Sequence, residues 1–339
     1  MEIRQNYSLR AHNTLGIDAQ ADWFITYRSL EDLHLLARDE YFQECRCVPI
    51  GEGSNLLFLT NFHGIILFSE LRSIELLGED DQHVDYLVGS GVHWDDFVRQ
   101  MTDQGLGGIE NLSLIPGQVG AAAIQNIGAY GVEICQRIQA VHTFHRRTAQ
   151  ERIFTRDECA YAYRHSLFKE PDYEDYIVTH VHLRLDKHPS LQLDYADLRE
   201  RITQRHSAPT PADVRREVIA IRESKLPDPK VIGSAGSFFM NPVVEASVYE
   251  ALREQYPHAP HYPLPDGRVK VPAGWLIDTC GLKGYRLGHA GVYERQALVL
   301  INADGQATGQ EIARLAEYIQ QQVQARFGIH LEPEVRYIV

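Results

Sequence analysis

Residues 105–131 read GLGGIENLSLIPGQVGAAAIQNIGAYG, and they hold seven of the chain's 25 glycines, where even spreading over 339 residues would place about two. Glycine and alanine at this density remove side chains and expose backbone N–H groups, which suits close approach to a diphosphate or a flat ring. A tightly packed loop between strands reads the same way. A second glycine turn lies upstream, GEGSNL at 51–56, between the apolar runs VPI and LLFL. That arrangement fits a simple hairpin, but Ser54 and Asn55 add hydrogen-bonding groups that a phosphate would use. Taken together, the two turns favour a nucleotide cofactor without saying which one.

Outward from these turns the pattern is mixed. Val84, Tyr86 and Val88 alternate, as do Ile138, Ala140, His142 and Phe144, and then Ile177, Thr179, Val181, Leu183 and Leu185; each period-two face predicts a strand. Trp94, Phe97, Val98 and Met101 share a helical face that Gly105 should stop. Thr210, Pro211 and Asp213 form an N-cap, N1-proline and acidic first turn, with Val214, Val218 and Ile221 on the face that follows. The segment LPDPKVIGSAGS at 226–237 reads as a loop. Thr308 and Glu311 make a capping box for a helix striped by Ile312, Leu315, Ala316, Ile319, Val323 and Phe327 and ended by Gly328. EVRYIV then predicts a closing strand. Strands and helices do not alternate regularly, so the fold class is α+β rather than a doubly wound sheet.

Other classes fall away. Thirty-three Lys+Arg against 46 Asp+Glu give a net charge of −13, which argues against a general nucleic-acid or anionic-membrane binder but not against a small anion in a basic pocket. The first residues, MEIRQNYSLRAHNTLG, have no apolar h-region, no stretch has the length and apolarity of a membrane span, and Cys45, Cys47, Cys135, Cys159 and Cys280 form no disulfide framework. These features predict a cytoplasmic chain with reduced cysteines and no membrane insertion. There is no HExxH helix, no Gly-Lys phosphate loop and no GxSxG elbow. Gly105-Leu106-Gly107 begins a dinucleotide fingerprint, but Glu110 stands at its third glycine. No histidine spacing calls for a metal.

GEGSNLL, IPGxxGAAxxQNIGAYGxE, YRHSLFK, KLPDPK, GSFFMNP and LEPEVR, in that order and across nearly the whole chain, resemble the UDP-N-acetylenolpyruvoylglucosamine reductase (MurB) family. The resemblance implies a two-lobed FAD-binding fold of the vanillyl-alcohol-oxidase (PCMH) type and a smaller α/β substrate-binding domain. It also implies an NADPH-dependent flavoenzyme that reduces the enolpyruvyl group of its UDP-sugar to UDP-N-acetylmuramate for peptidoglycan synthesis. The expected domains are an FAD lobe at 1–70, a second at 71–215, a substrate domain at 216–328, and a tail strand at 329–339 returning to the FAD region.

By the same resemblance FAD meets Gly51, Gly53, Ser54 and Asn55 in the first turn. In the dense segment it meets Pro116, Gly117, Gly120, Gln125, Asn126, Gly128 and Tyr130, and Arg222 helps hold it. The catalytic trio maps onto Arg164, Ser237 and Glu334, three distant parts of the chain that would have to meet at an interdomain cleft. Tyr163, Tyr195, Lys225, Asn241, Lys283 and Gln296 match substrate or NADPH contacts. Residues 215–230, RREVIAIRESKLPDPK, carry five basic residues against three acidic ones, a local excess of cations in an acidic chain. One position departs from the family pattern: Met240 stands where many relatives have lysine, which puts a phosphate or nicotinamide contact there in doubt. The rival readings are a sugar or lactone oxidase on the same flavin fold, disfavoured because the first turn offers Ser54-Asn55 rather than a His or Cys for covalent flavin, and a non-catalytic nucleotide-binding module. UDP-sugar and NADPH are the only partners inferred: no obligate protein partner and no nucleic acid.

Overall fold

The alternating segments become strands His83–Gly89, Ile138–His145 and Tyr176–Asp186 in a computed structural model that describes all residues except 196 and 197. They are the centre of a five-stranded antiparallel sheet, flanked by Gln150–Thr155 on one side and Ile74–Glu79 on the other. One face of this sheet buries Val84, Val88, Val181, Leu183 and Leu185 against Trp94, Phe97, Val98 and Met101 of the helix Trp94–Asp103. That helix stops as its sequence predicts, with Gly105 in the left-handed region at φ +80°. The short helix Val119–Gln125 packs into the same core through Val119, Ala122 and Ala123.

A four-stranded sheet lies earlier in the chain, in the order Glu2–Ser8, Gln20–Tyr27, Phe62–Ser69, Cys47–Ile50, the last pair parallel. The strand that follows the first glycine turn, Leu56–Phe58, joins a different partner: it pairs in parallel with the closing strand Arg336–Ile338. GEGSN therefore joins strands of two separate sheets and is no hairpin.

The chain divides into two compact units. The first contains residues 1–7, 21–52 and 63–224; the second contains 8–20, 53–62 and 225–339. This division differs from the expected one in two places. The expected boundary at 216 falls inside the helix Pro211–Lys225, whose apolar face, Val214, Val218 and Ile221, packs with Leu198 and Ile202 in the first unit. Residues 8–20 and 53–62 belong with the carboxy-terminal segment rather than with a lobe at 1–70, so the tail strand closes on residues of its own unit.

The second unit has a four-stranded antiparallel sheet in the order Gly233–Ser237, Val299–Asn302, Ala290–Val292, Arg286–Leu287. Its first strand corrects the reading of 226–237 as loop throughout. GSAGS has no apolar alternation, yet it pairs with Val299–Asn302, and Gly233 is bare because a Cβ there would lie 2.3 Å from the Leu15 carbonyl oxygen. The helix Gly309–Phe327 has the predicted capping box at Thr308 and Glu311 and ends at Gly328 with φ +68°. All five cysteines are free. Among the described residues, no helix is long and apolar enough to cross a membrane, and no group of His, Cys, Asp and Glu is placed to hold a metal.

Candidate active site

In the first unit the two glycine turns come together. The Glu52 carboxylate accepts the Gly117 N–H at 3.0 Å and lies 3.2 Å from His93 Nε2. A Cβ on Gly51 would press to 3.3 Å against Ala121 and Gln118. Gly120 donates to the Ser90 carbonyl and has no room for a side chain, since a Cβ would stand 2.6 Å from that of Ser90. The Trp94 N–H donates to the Gly117 carbonyl, and its indole N–H to Leu112. These bonds leave a backbone cradle with its glycine positions fixed by the protein's own packing.

The residues beyond the cradle are held under strain. Leu114, Asn126, Tyr130 and Arg164 all adopt left-handed backbone, with φ of +57°, +46°, +49° and +56°. Each such residue costs roughly 1–2 kcal/mol, and such strain clusters at functional sites. Asn126 caps the helix Val119–Gln125 and spends its whole amide locally: Nδ2 donates to the Ala162 carbonyl at 2.8 Å and to Glu133 at 3.1 Å, while Oδ1 accepts from Cys135 N–H. Its contribution is to shape the loop. The turn Ala162–His165 sits against this clamp, so Arg164 is placed by it. Its Nη2 donates to the Gly128 carbonyl at 2.8 Å, and its guanidinium lies 5.3 Å from the Tyr163 ring centre. A Cβ on Gly128 would reach 3.0 Å from Arg164 Nη1. Lys169 bridges the Arg164 carbonyl and Gln125 Oε1. Tyr195, 43% exposed, presents its ring edge to Tyr130 at 5.2 Å.

Arg222 lies further along, on the helix Pro211–Lys225. Its Nε is enclosed and has no hydrogen-bond partner among the described residues. Burial weighs against its charge, with Tyr130, Asp95 and Arg164 its electrostatic neighbours. An enclosed guanidinium with an unused donor calls for an anion. The glycine cradle and this donor are the features that a flavin dinucleotide, with its diphosphate and flat ring, requires, and the residues fit that group.

Sequence reasoning missed the anchor of this helix. Asp95 forks onto Arg215 at 2.5 and 2.8 Å and also accepts the Leu114 N–H. Burial alone would raise the Asp95 pKa; the Arg215 fork and the Leu114 N–H hold it below the usual carboxylate range. The two residues are 120 positions apart, and no local signal joins them. Glu110, where a third fingerprint glycine would stand, is 2% exposed and accepts the Gly108 N–H; burial pushes its pKa up.

In the second unit, three distant segments are stitched by backbone. Glu334 N–H donates to the Phe238 carbonyl at 2.8 Å, Met240 N–H to Glu332, and Arg336 N–H to the Asn55 carbonyl. Asn55 Nδ2 donates to the Glu334 carbonyl at 3.0 Å. Ser237, Glu334 and Ser54-Asn55 are thus brought into one neighbourhood, with Phe238 and Phe239 fully buried beneath. Asn55, expected at the cofactor, spends its amide donor on the Glu334 carbonyl, just before the closing strand. Gly53, at φ +68°, is demanded by packing: a Cβ there would lie 2.0 Å from the His12 carbonyl oxygen. Asn241 and Gln296 meet at the start of the helix Ala273–Thr279; Asn241 Oδ1 accepts the Ala273 N–H, and Gln296 Oε1 lies 3.1 Å from where a Gly274 Cβ would be. Lys283 pairs with Asp278 at 3.5 Å. Met240 is half-buried and brings no charge to its segment.

Comparison with known proteins agrees with this layout. The profile of the FAD binding domain matches residues 21–146, and that of the UDP-N-acetylenolpyruvoylglucosamine reductase C-terminal domain matches 228–338. The chain is 55% identical to a UDP-N-acetylenolpyruvoylglucosamine reductase of Porphyromonas gingivalis over the full length of both, and 46% identical to one of Bacteroides fragilis over 99% of this chain and all of the other. Among solved structures, the reductase MurB of Thermus caldophilus aligns with a TM-score of 0.68 at 26% identity, covering 100% of this chain and 98% of that one. With its glycine cradle, its two-unit division and relatives of this identity along its whole length, the chain belongs to the UDP-N-acetylenolpyruvoylglucosamine reductase family.

Proposed function

We propose that this chain reduces the enolpyruvyl group of UDP-N-acetylenolpyruvoylglucosamine to UDP-N-acetylmuramate at the expense of NADPH. When bound, FAD supplies the hydride relay between the nicotinamide and the enolpyruvyl double bond. Hydride arriving at the terminal carbon leaves carbanion character on the carbon next to the carboxylate. Arg164 forks onto that carboxylate and stabilises the enolate-like charge, a role a permanently charged, planar donor set fits. Glu334, sharing a proton with the same carboxylate, polarises it without a second bare negative charge. Ser237 gives its hydroxyl proton to the carbanion and completes the addition; a carbanion is basic enough to take it.

The observation that carries the reading is the main-chain bond from Glu334 N–H to the Phe238 carbonyl, which ties the Glu334 segment to the residue that follows Ser237. Gly51, Gly53, Pro116, Gly117, Gly120, Gly128 and Tyr130 shape the flavin seat, and Ser54, Gln125 and Arg222 supply polar groups to it. Tyr163, Tyr195, Lys225, Asn241, Lys283 and Gln296 bind the UDP-sugar or NADPH. A nucleotide-linked sugar and NADPH are charged cytoplasmic metabolites, so the reaction is placed in the cytoplasm, where it supplies precursor for the cell wall and hence for cell shape and division. No obligate protein partner is inferred for it. The test is NADPH oxidation by the yellow, flavin-loaded protein with and without the enolpyruvyl UDP-sugar. Oxidation should depend on the sugar, with one NADPH consumed per sugar reduced. Equal rates without it would remove the reading.

A further inference from the structure

We infer that Asp95 is a positioning residue for flavin binding: through Arg215 it fixes the rotation of the helix Pro211–Lys225 and so presents Arg222 to the cofactor. Three segments converge on this one carboxylate. It belongs to the first turn of the helix Trp94–Asp103, it accepts the N–H of strained Leu114 at 2.5 Å, and it takes both arms of the Arg215 guanidinium at 2.5 and 2.8 Å. Arg215 is itself buried.

The helix has an apolar face too, Val214, Val218 and Ile221 against Leu198 and Ile202. Apolar contact sets how closely a helix packs but tolerates rotation; a two-point fork does not. Rotation matters here because each residue turns the helix by about 100°. Arg222 follows Arg215 by seven residues, two turns on, and so lies on nearly the same side. Locking Arg215 therefore aims Arg222. The enclosed Arg222 Nε, without a partner among the described residues, is the donor so aimed, and Asp95 is also the carboxylate whose charge bears on it. The same carboxylate holds Leu114, two residues before Pro116-Gly117, so one group sets both the cradle and the cation beside it.

This inference rests on the reading of Arg222 as a flavin-site residue, and the experiment separates the two. The full-length chain, stripped of flavin, is titrated with FAD, and the bound flavin's visible spectrum is recorded, for Asp95→Asn, Arg215→Met, Arg215→Lys, the Asp95→Asn/Arg215→Met double variant and Arg222→Ala. Asp95→Asn and Arg215→Met should each weaken FAD binding about tenfold, the size of one charge-assisted bond, and shift the flavin spectrum. The double variant should be no weaker than either single one. Arg215→Lys, which keeps the charge but loses the fork, should recover part of the loss. FAD affinity within twofold of the parent and an unshifted spectrum in Asp95→Asn, with Arg222→Ala clearly weakened, would overturn the positioning role alone. Unchanged affinity in Arg222→Ala would overturn the reading of Arg222, and the inference with it.

Discussion

The two units hold their candidate site residues by opposite means. In the first, Arg164, Tyr130 and the glycine cradle are fixed by strained backbone and by side chains that bond to main chain, with Asn126 and Glu52 as the clamps. In the second, Ser237 and Glu334 ride on segments tied to each other by main-chain bonds, with Asn55 as a side-chain brace. The lesson concerns what mutation can separate. Where backbone does the holding, a side chain can be exchanged and the chemistry removed with the frame intact. Where side chains do the holding, chemistry and frame fail together.

The largest effect should come from a glycine. Gly53→Ala places a methyl group 2.0 Å from the His12 carbonyl oxygen at φ +68°, and should cost more than about 4 kcal/mol, measured by denaturant unfolding. A loss under about 1 kcal/mol would show that the turn relaxes freely. Next, Asn126→Ala removes three hydrogen bonds and leaves a left-handed alanine; about 2–4 kcal/mol is expected, together with loss of turnover, since Arg164 leans on the same turn. Asn55→Ala removes one brace, and about 1 kcal/mol is expected, with a fall in kcat because the Glu334 segment loosens. Intact stability together with intact kcat would refute the brace.

Least, and opposite in sign, are the responses to pH. The Asp95 pKa is depressed in the folded state, so its stabilisation is full above about pH 4 and is lost as pH falls through the folded value. The exposed His289 is raised above 6.5, first through its hydrogen bond with Asp304 at 2.8 Å, so its contribution is full below 6.5 and fades as pH climbs through the raised value. Hydrogen exchange should show residues around Asp95 loosening as pH falls through its depressed folded value, and an NMR titration should show Asp304→Asn returning His289 toward its ordinary midpoint.

Much of this was legible in sequence. Alternation at 84–88, 138–144 and 177–185, and the capping box at Thr308, report local physics and appear as drawn. The strand at 233–237 was hidden because its reason is external: Leu15 crowds Gly233, and no pattern within GSAGS says so. The same holds for Asp95 with Arg215 and for Asn55 with Glu334, pairs made by tertiary approach of distant segments. The glycine density of 105–131 marks the right residues but gives only part of the cause. Gly108 and Gly120 are bare because Arg137 and Ser90 fill the space beside them, quite apart from any cofactor.

In the proposed reaction Ser237 of the second unit supplies the proton, and the frame around it is held by main-chain bonds that do not involve that hydroxyl. The direct measurement is a pair of half-reactions on Ser237→Ala followed in a stopped-flow spectrophotometer. NADPH should bleach the bound flavin at close to the parent rate, and reoxidation by the enolpyruvyl UDP-sugar should slow by about 10²–10⁴-fold, the range for loss of a positioned proton donor. Reoxidation within a few-fold of the parent would contradict that role.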